Sequence, residues 1–313
     1  MNIPKYDINK YNPKHMMLIP AALFAIALVI VLVSFITTGM PASPGIDFAG
    51  GTAVTIHTTD TKEEITAYYA GYDIKSIDEG IGSGSYYIKF GPMSNEEMMK
   101  FNEHTNARYP DANIDQIGAN FGSTLQSQAL IALLFAFIGM AVVVLIAFRK
   151  VIPAVTVVCA AIADITITAA CMNIFGIELS LATTAALLML IGYSVDSNIL
   201  LTTKTLKRHG KLEDRVAGAF RTGIIMTTTT LCAIIAMFVV ALIGQVPTLY
   251  TIAAVLIFGL ISDIIFTWLF NAGVLKIYLE GHEGNKNKKQ PPQQTPATKQ
   301  NQQPKKKSKG AKQ

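Results

Sequence analysis

Six runs of about 20 apolar residues dominate this chain, at 17–38, 127–148, 151–173, 179–203, 222–244 and 248–275. Each is long enough to cross a hydrocarbon layer roughly 30 Å thick as a helix. Inside such a layer every backbone N–H and C=O must be satisfied within the protein, so helices are the natural solution. The chain is 51% hydrophobic and 15% charged over 313 residues, a polytopic membrane-protein composition rather than that of a soluble domain. The first run follows Lys5, Lys10 and Lys14. It is longer than a signal-peptide core of about 7–15 residues, so a retained span is expected.

Basic residues set the expected orientation. They precede the first span and occur at Arg149 and Lys150 between spans two and three. Between spans four and five lie Lys204, Lys207, Arg208, Lys211, Arg215 and Arg221, and the tail from Lys276 is densest of all. The short loops at 174–178 and 244–247 have none. The positive-inside rule therefore puts both termini in the cytoplasm, in a multi-pass protein of the cell membrane, with 39–126 outside.

Within that outer segment, residues 52–57, 74–78, 86–90 and 112–117 read as strands and 62–70 and 94–107 as helices. The second helix opens on a capping box, Ser94 and Glu97. The order βαββαβ predicts a small α+β ferredoxin-like domain after the first span. Gly80, Gly82 and Gly84 precede a strand, which fits a hairpin turn and not a nucleotide loop. The stretch GIDFAGGT (Gly45, Asp47, Phe48, Gly50 and Gly51 among its residues) hands the first span over to the first strand. By physics alone it is an exit turn.

Three aspartates interrupt the apolar spans: Asp164, Asp196 and Asp263. Each costs about 2.5–3.5 kcal/mol at a helix centre, on the order of 8–10 kcal/mol together, so they are expected to face protein or water and not lipid. Each follows a small residue by four positions, Ala160, Gly192 and Gly259, where another backbone can approach. Counted from the nearest basic residue, Asp164 and Asp263 lie roughly 20 Å deep and Asp196 roughly 12 Å. The expectation is that all three border one inner cavity. They can be protonated groups bonding across helices, or relays that change charge. Asp196 fits the relay best, because Tyr193, Ser194, Ser197 and Asn198 make its turn the most polar of any span. The threonine run 227–230 adds hydroxyls in span five, and Arg221 at its mouth is the cation placed to pair with an aspartate.

No nucleophile–base pair, phosphate loop or metal-ligand spacing is present, so catalytic residues, metals and cofactors are not expected. Cys159, Cys171 and Cys232 read as core packing and the histidines as surface residues. From Gly284 the chain is rich in Lys, Gln and Pro and is expected to be disordered. Such a basic cytoplasmic tail (276–313) suits topogenesis, with anionic lipid or ribosome contact as a further possibility.

GIDFAGGT, IGYSVDSNILL in span four and AFRTGIIMTTTT opening span five together resemble the SecD/SecF family of Sec translocon accessory proteins, in the resistance-nodulation-division superfamily. The resemblance covers about 45–275 and also fits the six-span layout. The IGYS opening and the short outer domain are similar to the SecF branch; GYSVDSN departs from the GYSIND of its bacterial members toward the GMAVDAN of SecD, a form that archaeal members resemble. The resemblance implies a subunit that acts with SecD and the translocon channel on preproteins crossing the membrane, driven by an ion gradient (most simply protons). It places the coupling carboxyl at Asp196 and the associated cation at Arg221; Asp164 and Asp263 remain ion-coupling candidates by their place in the spans alone. The outer domain around Asp47 and Phe48 would link membrane motion to the emerging substrate. Two other readings stay open: a small-molecule or lipid exporter of the same superfamily, and a passive structural subunit.

Overall fold

A computed structural model describes residues 12–79, 84–207 and 212–289. Six helices in it are long and apolar enough to cross a membrane. They are α1 (Pro13–Thr38), α5 (Ala119–Phe148), α6 (Val151–Phe175), α7 (Leu181–Lys207), α8 (Leu212–Ile243) and a rod of α9 (Pro247–Ile265), a π-helical turn (Phe266–Asn271) and α10 (Ala272–Lys289). In the most apolar stretch of α6, α7 and the α9 rod 56% of residues are buried, against 17% in α1 and α8 and 11% in α5. The inner three therefore form the centre of the bundle, and the outer three leave most of their apolar surface exposed.

Between α1 and α5 lies the α+β domain, with α2 (Ile46–Ala49), β1 (Gly51–His57), α3 (Lys62–Tyr68), β2 (Ile74–Glu79), β3 (Ser85–Phe90), α4 (Asn95–Arg108) and β4 (Asn113–Ile117). The strand order is β2-β3-β1-β4, antiparallel throughout, which is the ferredoxin-like arrangement expected. Register runs from Thr52 opposite Phe90 to His57 opposite Ser85. Alternation then sends Val54, Ile56, Ile88 and Phe90 to one face, where they pack with Ile65, Tyr69 and Phe101 of the helical layer. The Ser94–Glu97 capping box is formed, and a second one, Thr61 with Glu64, opens α3.

The other sheet face, with Thr55, Tyr87, Lys89 and Asp115, looks onto the end of the bundle across a cavity of about 510 Å³. The opposite end of the bundle gathers Met16 of α1, Val216 and Ala219 of α8 and Leu275 of α10 around Trp268.

Hydropathy locates the spans but not the helix ends. Helix α5 starts at Ala119 and not 127, and α8 starts at Leu212, so most of the predicted 204–221 loop is helical. The last helix continues to Lys289, past the predicted start of a disordered tail at 276. Polar helix ends need no membrane to remain helical, so a hydropathy window stops short of them. Residues 290–313, with the lipid and ribosome contacts expected of them, and Gly80 and Gly82 lie outside the described residues. The cysteines are not core packing: Cys159 and Cys232 are exposed and Cys171 is half-buried. His104 is not a plain surface histidine, since its ring stacks on Tyr68 at 4.2 Å.

Candidate functional site

The inner triad of helices encloses a polar centre. Asp164 of α6 is fully buried. Its Oδ2 accepts from the Ser194 hydroxyl of α7 at 2.6 Å, and its Oδ1 from the Ser262 hydroxyl of α9 at 2.8 Å. Asp263, 1% exposed, accepts from Thr267 at 3.0 Å through Oδ1. The Ser197 and Ser194 hydroxyls also face its carboxyl, yet Oδ2 has no hydrogen-bond partner of good geometry. Asn198 donates to the Ser194 carbonyl at 2.8 Å, and Asn271 donates to Asn198 Oδ1 at 2.6 Å. The π-helical turn begins three residues after Asp263 and ends at Asn271, and its residues Thr267 and Asn271 both turn inward to join this network. Turns of this kind recur at functional sites in helices.

Asp196 is not part of this centre. It lies on the exposed side of α7, in a stripe with Leu181, Ala185, Met189 and Gly192. The expectation of one cavity bordered by all three aspartates therefore fails for Asp196. Gly192 is equally open, and a Cβ there would meet nothing within 4 Å, whereas Gly259 lies against Leu190 and Ala160 is fully buried. The polar turn is split by the helix: Ser194, Ser197 and Asn198 point in, Tyr193 is half-buried against the main apolar cluster, and Asp196 points out.

Arg221 is exposed on α8, nine residues into the helix and not at a loop boundary. Among the described residues it makes no ion pair with a carboxylate. Lys204 donates to Thr222 at 2.6 Å, which levels Arg221 with the 204 region of α7. Asp196 is eight residues from that level, roughly 12 Å along the axis. The 227–230 run turns partly outward, and Thr229 and Thr230 bond the carbonyl of Met226 in their own helix.

GIDFAGG is a joint and more than an exit turn. Gly45 N–H donates to the Leu179 carbonyl and Leu179 N–H to the Ser43 carbonyl, a two-bond bridge to the α6–α7 loop. A Cβ on Gly45 would stand 3.2 Å from Glu178 Oε2 and 3.3 Å from the Leu179 carbonyl, so the approach is tight. Asp47 accepts from the Leu181 N–H at 2.7 Å and so caps α7, the helix that carries Asp196. Phe48 is buried in the main membrane cluster. Gly51 has φ 138°, and a Cβ there would meet the Phe90 carbonyl at 2.6 Å. Its neighbour Gly50 also has positive φ and lies beside Gly122 of α5.

A second tie runs from the sheet to the same loop. Lys89 of β3 binds Glu178 at 2.7 Å and Asp78 at 3.1 Å. Burial works against the Lys89 charge, but its bonds to Glu178 and Asp78 more than offset that and hold its pKa above the ordinary lysine value. Burial also raises the neighbouring Tyr87 phenol, and the charges of Glu178 and Asp115 add to it.

Sequence reasoning missed Ser262, Thr267 and Asn271, although Thr267 and Asn271 follow Asp263 by four and eight positions, a legible spacing that puts them near one face. The Lys89–Glu178 tie had no sequence signal, because its partners are 89 positions apart. Among the described residues no group of three or more His, Cys, Asp or Glu side chains converges as a metal-ligand set.

The fold and site define a polytopic helical membrane protein with an inserted ferredoxin-like domain and ionisable groups at mid-span. A family model described as protein export membrane protein SecD/SecF, C-terminal, matches residues 97–281. Protein-export membrane protein SecF of Methanolacinia petrolearia is 54% identical over 275 residues, covering 88% of this chain and 97% of that one. SecF of Haloferax volcanii is 39% identical over 276 residues, 88% of this chain and 96% of its own. The crystal structure of SecDF, a translocon-associated membrane protein from Thermus thermophilus, superposes with TM-score 0.69 at 20% identity over 89% of this chain. This chain spans 39% of that longer one, and at such identity the likeness is one of fold. The chain belongs to the SecD/SecF family of protein-export membrane proteins.

Proposed function

We propose that this chain is a SecF-type accessory subunit of the Sec translocon, acting with SecD to promote preprotein translocation and drawing on an ion gradient, of protons in the simplest case. Family membership supports the export role. The observation that carries the rest is Asp196, a carboxyl on the outer side of a mid-bundle helix. Facing lipid it would cost about 2.5–3.5 kcal/mol. Covered by SecD, it lies at the joint of two chains, where an ionisable group can change charge with shelter and access to water. Gly192, one turn away, lets a second helix come close. Arg221 is the cation on the neighbouring helix that such an assembly can bring toward it. Each elementary charge that crosses supplies about 2.3 kcal/mol per 100 mV.

In this reading the joint at Asp47 and Phe48 carries movement of α7 to the outer domain and to the emerging preprotein, and both termini face the cytoplasm. The test is Asp196→Asn, with export measured in the presence and absence of an uncoupler and copurification with SecD and the channel followed in parallel. Intact assembly with loss of the uncoupler-sensitive part of export is expected. Normal gradient-driven export at normal protein levels rejects the relay. An uncoupler-insensitive contribution identifies a passive subunit, and absence of SecD from the purified material favours an exporter.

A further inference from the structure

We propose that the buried pair Asp164 and Asp263 is a second proton-binding site, separate from Asp196 and reached from the end of the bundle opposite the α+β domain through a column formed by Asn198, Asn271, Thr202 and Thr205. Only its use in export rests on the ion-gradient reading above; its capacity to bind a proton does not.

Two carboxyls side by side at this depth cannot both stay charged without a cation, and neither forms an ion pair among the described residues. Asp164 accepts one serine hydroxyl on each of its oxygens. Asp263 is different. Its Oδ2 is buried and, although the Ser197 and Ser194 hydroxyls face this carboxyl, takes no hydrogen bond of good geometry, so it is the atom on which an added proton would sit. Asn271 Oδ1 and Thr202 Oγ1 are likewise buried and without a partner, and both residues are fully enclosed.

These atoms do not form one cage. Asn198 and Thr202 are a helical turn apart, roughly 6 Å along the axis, and Asp263 and Asn271 lie two turns apart. A gap of about 6 Å is two hydrogen bonds long, the reach of a single bridging water. Oxygens so spaced suit stepwise proton passage, whereas a sodium ion needs several oxygens converging on one point. The amide pair Asn271–Asn198 stands between the carboxyls and the lower threonines, and Thr205 ends the column, its carbonyl accepting from Arg215 of α8 at 2.7 Å.

Among the described residues no ion pair reaches the two carboxyls, and Arg215 of α8 stands at the far end of the column. Helix α5 has no titratable side chain, and α1 carries Lys14 and His15 in its first turn, at the end of the bundle away from the α+β domain. Helix α6 adds Cys159 and Cys171 and α7 adds Tyr193, none bearing a formal charge, while Asp196 faces away. Arg221 of α8 is exposed, and Lys276 lies thirteen residues beyond Asp263, roughly 20 Å down the rod. A proton entering along the column binds Asp263 Oδ2 and leaves by the same groups; no other bond is made or broken.

The test is infrared difference spectroscopy of the full chain in lipid nanodiscs, following the C=O stretch of protonated carboxyl groups as pH is changed. The wild type is expected to show a buried carboxyl band that titrates. It should be lost in Asp263→Asn and kept in Asp196→Asn, with slower hydrogen–deuterium exchange in Asn271→Leu. Should Asp263→Asn fail to fold, the wild-type titration and Asn271→Leu exchange still decide. No titrating band in the wild type, a band lost with Asp196 and kept without Asp263, an exchange rate indifferent to Asn271→Leu, or a band that answers to sodium at fixed pH overturns the proposal. Failure of the export reading, with normal export by Asp196→Asn, would leave these spectra unchanged.

Discussion

Ser194 and Asp196 stand two residues apart on α7 and face opposite sides of it. The Ser194 hydroxyl is buried 2.6 Å from Asp164, while Asp196 is exposed on the outer surface. One polar turn thus serves two purposes, holding the bundle together inside and presenting an ionisable group outside.

Ser194→Ala should therefore be a stability mutation. It removes a donor to a buried carboxyl, and hydrogen bonds to such groups are worth about 1.5–3 kcal/mol. Thermal unfolding in detergent should show a clearly lowered midpoint, whereas Asp196→Asn should leave it unchanged. Equal midpoints for Ser194→Ala and wild type would contradict the bonding described.

Gly259 and Gly192 should separate packing from docking. A Cβ at Gly259 would meet Leu190 carbons at 2.2, 2.4 and 2.8 Å, and Leu190 is fully buried. Gly259→Ala is expected to cost about 1–3 kcal/mol through overpacking. Gly192→Ala meets nothing in this chain and should stay within about 0.5 kcal/mol. If SecD covers that face, Gly192→Ala weakens copurification with SecD without destabilising the isolated chain. Unchanged copurification would count against that docking face.

The joint between domain and bundle makes a third prediction. Asp47→Ala removes one of the two side-chain caps on α7, leaving that of Ser180, and should cost about 0.5–2 kcal/mol, read as faster amide exchange in the first turn after Leu181. Lys89→Ala should loosen the domain against the loop, and the swap Lys89→Glu with Glu178→Lys should restore part of the loss. A double-mutant cycle with no coupling between the two positions would show that the tie is idle. Because the Lys89 pKa is raised, its contribution is complete below the ordinary lysine value and disappears only as pH rises through the higher folded value.

In the α+β domain, Asp60 accepts from Tyr109 at 2.7 Å and from Arg108 at 2.8 Å. The Tyr109 bond, helped by Arg108 and opposed by partial burial, holds its carboxyl below the usual aspartate value. Its stabilising contribution is therefore present above that usual value and is lost as pH falls through the lower folded one. Acid titration followed by tyrosine fluorescence should show this loss, and Asp60→Asn should flatten it while lowering stability at neutral pH. An identical acid profile for the variant would refute the assignment.

The residues themselves determined the six apolar spans, the βαββαβ order of the α+β domain and the three costly aspartates. Length and hydropathy decide whether a segment enters a membrane, and alternation decides which residues of a strand share a face. Helix direction about its own axis is another matter. Asp164, Asp196 and Asp263 each follow a small residue by four positions, so local spacing treats them alike. Tertiary packing distinguished them: α6 and α9 turn Asp164 and Asp263 toward Ser194 and Ser262, and the same rotation of α7 that buries Ser194 and Asn198 turns Asp196 outward. Depth in the membrane is a property of the sequence, whereas the face a residue presents is fixed only when neighbouring helices compete for it.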